Sequence, residues 1–123
     1  MWNRADRRRR RSNDAYQALC LQLEETRRQA KLNAVVLAMD NGLVIAAAGE
    51  PRLCEELGAV APLMHRATFA RALSPDMSDA DVDVRTIACG GEEFYLATIG
   101  KGKKRDAALR RSMHGVHRIL TVH

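Results

Sequence analysis

No apolar run in this chain reaches the about 20 consecutive residues that a membrane-crossing helix needs. Nothing after the N-terminal arginines resembles the apolar core of a secretory signal. Only three cysteines occur, Cys20, Cys54 and Cys89, and they form no CxxC or histidine-linked pattern. A disulfide framework and a zinc site are therefore not expected, and the reading is a cytoplasmic protein whose cysteines behave as small buried hydrophobes. Aromatics make up 4% of the residues, too few beside the basic segments to form a stacking platform for single-stranded nucleic acid.

The motifs of catalysis are missing as well. Residues 100–104, GKGKK, lack the GxxxxGK[ST] spacing that wraps backbone amides around phosphates, and read as a basic linker. The acidic run Asp76, Asp79, Asp81, Asp83 lacks the glycine and terminal glutamate of a calcium loop. His114 and His117 stand at i, i+3 without an acidic or cysteine companion and read as a surface pair. No Ser/His/Asp or Cys/His set stands out. The expectation is a protein with no catalytic residue, no metal, no cofactor and no small-molecule substrate.

What remains is the material of one globular domain. The 123 residues are 46% hydrophobic and 28% charged, enough for a modest core. Formal net charge is +5, and residues 1–12 account for all of it, with six Arg against one Asp. Residues 13–100 carry seven basic and thirteen acidic groups, and 101–123 seven basic and one acidic. The body is acidic between two basic ends, so the high isoelectric point is weak evidence for nucleic-acid binding by the folded domain. Like-charge repulsion should keep residues 1–12 disordered in isolation, a tail ahead of a domain at 13–123.

A first helix is expected from Ser12, Asn13 or Asp14, where side chains can cap the first turn, to about Lys31. Tyr16, Leu19, Cys20 and Leu23 mark its inward face at i, i+3, i+4, i+7. Residues 34–39 and 43–48 are nearly continuous apolar runs meeting at Asn41-Gly42. That predicts a hairpin with a two-residue type I′ turn, covered on both sheet faces. Pro51 suits the first position of a second helix. On it Leu53, Leu57, Val60 and Met64 form one stripe, and Ala59, Leu63, Ala67 and Ala70 an adjacent one. Together they exceed what a surface helix needs to cover its own core, so a second buried surface is expected there, although an alanine-rich face is also simply a good helix former.

Pro62 predicts a kink near 58–62, and loss of phase beyond it ends the helix near Ala67. Residues 68–73 then suit a short strand, with Phe69, Arg71 and Leu73 on one face. Residues 82–89 and 92–99 bracket Gly90-Gly91 as a second hairpin. Leu109, Met113, Val116 and Leu120 predict a last helix over 105–121.

This order of elements, and above all AVVLAMDNGLVIAAAGE at residues 34–50, resembles the Roadblock family (dynein light-chain Roadblock type), whose first hairpin joins an apolar strand to a Gly-Leu-Val-type strand through an Asp and a glycine turn. The resemblance spans about residues 14–121 and is strongest toward the small bacterial Mgl-type regulators of Ras-like GTPases. It implies an α/β, profilin-like α-β-β-α-β-β-β-α sandwich around a central antiparallel sheet of five strands, the third of them here short or missing. The middle helix would lie on one face and the terminal helices on the other.

It also implies homodimers packed through the middle helices and third strands. That makes Ala59, Leu63, Ala67, Phe69, Arg71 and Leu73 the candidate interface. The function so implied is a non-catalytic dimeric adaptor. It would act on a Ras-like small GTPase, or on another Roadblock protein, in bacterial polarity or gliding motility. Pro62 and the short third strand depart from the family pattern at the edge pairing and the GTPase-binding face. The alternative from the residues themselves is an anion-binding module. In it Arg7, Arg8, Arg9, Arg10 and Arg11, with the basic 101–111 segment, hold nucleic acid or acidic membrane.

Overall fold

The computed structural model describes residues 4–64, 82–100 and 105–122. In chain order these form α1 (Arg4–Ala30), β1 (Ala34–Met39), β2 (Val44–Gly49), α2 (Pro51–Met64), β3 (Val82–Cys89), β4 (Glu92–Ile99) and α3 (Arg105–Val122). The four strands make one antiparallel sheet in the order β2-β1-β4-β3. Four strands stand among the described residues where five were expected, and the proposed third strand at 68–73 lies outside them.

Alternation along the central strands sorts their side chains to two faces. Val35, Leu37, Phe94 and Leu96 join Leu19, Leu23, Leu109 and Val116 in one cluster, beneath α1 and α3. Ala34, Val36, Ala38, Tyr95, Ala97 and Ile99 join Cys54, Leu57 and Ala61 in the other, beneath α2. The expected layering is thus observed, with the terminal helices on one face and the middle helix on the other. The apolar, uninterrupted reading of β1 reflects its central place, buried on both sides. Each fully buried leucine, such as Leu37 or Leu57, contributes about 1.5–3 kcal/mol relative to exposure.

The first hairpin forms where expected, but not with a type I′ turn. That turn needs positive φ at both central residues, and only Gly42 has it, at 85°. Gly42 N–H donates to Met39 O at 2.9 Å, Met39 N–H to Leu43 O at 2.9 Å, and Leu43 N–H to Asn41 Oδ1 at 3.0 Å. The Asn41 side chain closes an Asx-type turn, and the left-handed Gly42 completes a three-residue loop. The pairing shifts register between Leu37 and Ala38, and β2 starts at Val44, leaving Leu43 60% exposed. In the second hairpin β3 and β4 have the expected bounds, and Gly90 and Gly91 are both at positive φ, 60° and 79°.

The helices differ from expectation mainly at one end. α1 begins at Arg4, not near Asp14, because arginine is a good helix former and extending an existing helix costs far less than nucleating one. Over residues 13–30, where its side chains are described, the buried face is Leu19, Leu23, Thr26 and Ala30, while Tyr16 is 55% exposed and Cys20 half-buried. The helix closes on Lys31 at φ 54°, with Leu32 N–H donating to Arg27 O at 2.9 Å and Lys31 N–H to Arg28 O at 3.4 Å. This is a Schellman closure carried by a residue other than glycine. α3 keeps its expected start, buries Leu109 and Val116, and leaves Met113 and Leu120 half-buried.

Candidate protein interface

α2 opens on Pro51, with the Glu50 carboxylate accepting from Arg52 N–H at 3.2 Å and from Leu53 N–H at 3.0 Å. Cap and proline together satisfy the first turn. Its inward side is Cys54, Leu57, Gly58, Ala61 and Pro62, all buried. Gly58 makes the approach possible, since a Cβ there would lie 2.3 Å from Val44 Cγ2. The first hairpin's turn abuts the same place: a Cβ on Gly42 would lie 3.7 Å from Ala59 Cα.

This packing rotates α2 relative to the sequence-based stripes. Leu53 and Val60, assigned inward, pack only against the margin of the core and remain half-buried, whereas Cys54 and Ala61 are buried. The signal for the true face was the Cys54, Leu57, Ala61 spacing of i, i+3, i+7, hidden because leucine and valine outweigh cysteine and alanine in hydropathy. Of the expected interface residues, Ala59 is exposed and Leu63 half-buried, both on α2. Ala67, Phe69, Arg71 and Leu73 lie outside the described residues. The structure adds Leu43, exposed on the turn that abuts α2, to the apolar residues on this side. Pro62 is accommodated within the helix, which runs on to Met64.

Polar groups concentrate at the other end of the sheet. Arg85 on β3 donates through Nη2 to Asp106 Oδ1 at 2.5 Å and to Asp83 Oδ2 at 3.3 Å. Arg105 Nε stands 4.0 Å from Asp83 Oδ2, Arg105 Nη1 donates to Gly100 O at 2.8 Å, and Arg110 pairs with Asp106. Asp106 lies in the first turn of α3, where the helix dipole also favours a carboxylate. Hydrogen bonds from Arg85 and then Arg110 hold the Asp106 carboxyl below the usual carboxylate range, and those to Asp106 and Asp83 raise the Arg85 guanidinium. The network ties the start of α3 to the β3 strand. Near the first hairpin, Tyr95 donates to Asp40 Oδ1 and to Glu93 Oε2, each at 3.3 Å.

Burial, then the nearby Glu50 charge, pushes the Cys54 thiol up, and its S–H donates to Ala48 O at 3.4 Å, so it is a structural thiol. Cys20 and Cys89 are half-buried and unbridged. His114 and His117 are exposed on α3. Among the described residues no group of three or more His, Cys, Asp or Glu is placed to hold a metal, and no helix is long and apolar enough to cross a membrane. Arg7, Arg8, Arg9, Arg10 and Arg11 lie in the N-terminal half of α1. What this arrangement offers is contact surface: an apolar margin on α2 and the exposed Arg110, Arg111 and Arg118 on α3.

No protein-family model matches the chain, and no curated protein does so. Solved structures do. MglB of Myxococcus xanthus aligns with a TM-score of 0.58 at 13% identity over 85% of this chain and 88% of its own. The gliding protein MglB of Thermus thermophilus aligns at 0.63 with 20% identity, covering 86% and 90%. An MglB in a tetrameric arrangement aligns at 0.60 with 19% identity over the same shares. At such identities the likeness speaks to architecture, and the chain has the Roadblock-like fold of these MglB proteins.

Proposed function

We propose that the chain is a non-catalytic dimeric adaptor that regulates a Ras-like small GTPase module, through contacts with the GTPase or with another Roadblock protein. The observation that carries this reading is agreement of the fold with MglB over most of the chain. The apolar margin of α2, with Ala59 exposed and Leu53, Val60 and Leu63 half-buried, supports it as the side on which two copies meet. Ala67, Phe69, Arg71 and Leu73 extend that proposed interface. The sequence resemblance is strongest toward the Mgl-type regulators, a group that includes MglC, and the structural matches are MglB proteins, so the proposed role is that of an Mgl-type regulator in general. Because the Thermus match is a gliding protein, gliding motility or cell polarity is the process proposed. In this reading residues 13–123 are the domain, acting in the cytoplasm, and 1–12 its arginine-rich extension.

The test is calorimetric titration of the protein with an Mgl-type small GTPase, loaded with GDP or with a non-hydrolysable GTP analogue. Binding that differs between the two nucleotide states supports the proposal, and no heat with either counts against direct regulation.

A second reading is favoured by the start of α1 at Arg4, which carries the arginine run on a helix ahead of the core. There Arg7, Arg8, Arg9, Arg10 and Arg11 grip an anionic polymer. Neutralising about five phosphates would give a log–log salt slope near −4 to −5 on duplex DNA. Equal, negligible binding by the full chain and by a chain lacking residues 1–12 contradicts it.

A further inference from the structure

A groove of about 350 Å³ runs between β3 and the outer flank of α3. Its floor is apolar, formed by the buried Ile87 and the half-buried Met113, with Ala88 beside them. Its rim is Arg110, His114 and His117, all exposed. At 100° per residue these positions fall on one band of α3 with Arg111 and Arg118, which are exposed too. One carboxylate, Asp106, borders that band, one turn before Arg110. Asp106, the acidic residue of α3, is already engaged by Arg85 and Arg110.

An apolar floor beside the exposed Arg110, Arg111 and Arg118, which outnumber the one carboxylate of α3, favours an acidic occupant. The lining residues include no Phe, Tyr or Trp, and the floor is apolar where a phosphate backbone would need donors. We propose that this groove docks a segment of a partner protein in which an apolar side chain is flanked by Asp or Glu. The apolar side chain lies on Ile87 and Met113, and the carboxylates meet Arg110, His114 and His117. The groove is on the α1/α3 face of the sheet and the apolar margin of α2 belongs to the other, so both surfaces can be occupied at once. The chain would then link two partners.

The experiment is methyl NMR on the full-length protein with labelled Ile and Met, titrated with a peptide of alternating Leu and Glu and, separately, with its Leu–Lys counterpart. The Leu–Glu peptide should shift the Ile87 and Met113 methyl signals saturably, and the Leu–Lys peptide should not. Placing a carboxylate on the rim with His117→Glu, at an exposed position that leaves the core intact, should weaken binding by about tenfold. Met113→Glu should abolish it. Neither variant should change the solution mass, which separates failure of this proposal from failure of the dimer. Equal shifts with both peptides, shifts confined to other methyls, or shifts caused by a duplex oligonucleotide and not by the peptide would each overturn it.

Discussion

Gly58 of α2 lies over Val44 of β2 so closely that a Cβ on the glycine would stand 2.3 Å from Val44 Cγ2. This contact sets how far α2 sinks onto the sheet and which of its stripes is left at the margin. On propensity alone Gly58→Ala should stabilise the helix by about 1 kcal/mol. The clash reverses the sign, and we expect a net loss of about 1–3 kcal/mol in urea denaturation. Combining it with Val44→Ala should recover part of that loss, giving a non-additive pair. A single variant as stable as the parent would show that α2 does not rest on Val44.

The Arg85–Asp106 pair ties α3 to the sheet across 21 positions of sequence. The two arginines lower the folded carboxyl below its unfolded value of about 3.9. Stability from this source is therefore complete above the unfolded value and is lost as pH falls through the lower folded one. Asp106→Asn should lower the melting temperature at neutral pH and match the parent in acid. The neutral-pH loss should be small, because the Asp106 side chain is 55% exposed. A gap between variant and parent that persists unchanged in acid would contradict the pairing.

Ser112 is fully buried on α3, and its hydroxyl has no hydrogen-bond partner among the described residues. Ser112→Ala removes a desolvated hydroxyl and improves helix propensity, so it should stabilise the protein by about 1 kcal/mol. Thermal denaturation reads this directly. A fall in melting temperature would mean that the hydroxyl makes a bond in solution.

Leu63 is half-buried on α2 and belongs to the proposed interface. Leu63→Arg should leave the helical circular dichroism intact but dissociate the dimer, since burying a charge without a partner costs about 3 kcal/mol or more. A variant that remains dimeric moves the interface away from this residue.

Local chemistry made much of this fold legible. Gly90-Gly91 placed β3 and β4 to the residue, Pro51 placed the start of α2, and the leucine spacing placed α3. Asn41-Gly42 marked the first hairpin, but whether Asn41 supplies backbone or side chain to the turn is not encoded in the dipeptide. The start of α1 escapes a reading that sets charge repulsion along the arginine run above arginine's helix propensity. The inward face of α2 is hidden because close approach through Gly58 favours small residues, Cys54 and Ala61, over larger neighbours. The Arg85–Asp106–Arg110 network joins residues distant in sequence, which no local pattern reveals, and so does the groove between β3 and α3.

The central claim is that the chain is a dimeric adaptor with a Roadblock-like fold. Its most direct test is the solution mass of the full-length protein by light scattering on a sizing column, at moderate salt so that the arginine-rich extension does not promote spurious association. The account predicts twice the 13.7 kDa chain mass, reduced to the single-chain value by Leu63→Arg. A parent protein that runs as a monomer at all accessible concentrations would contradict it.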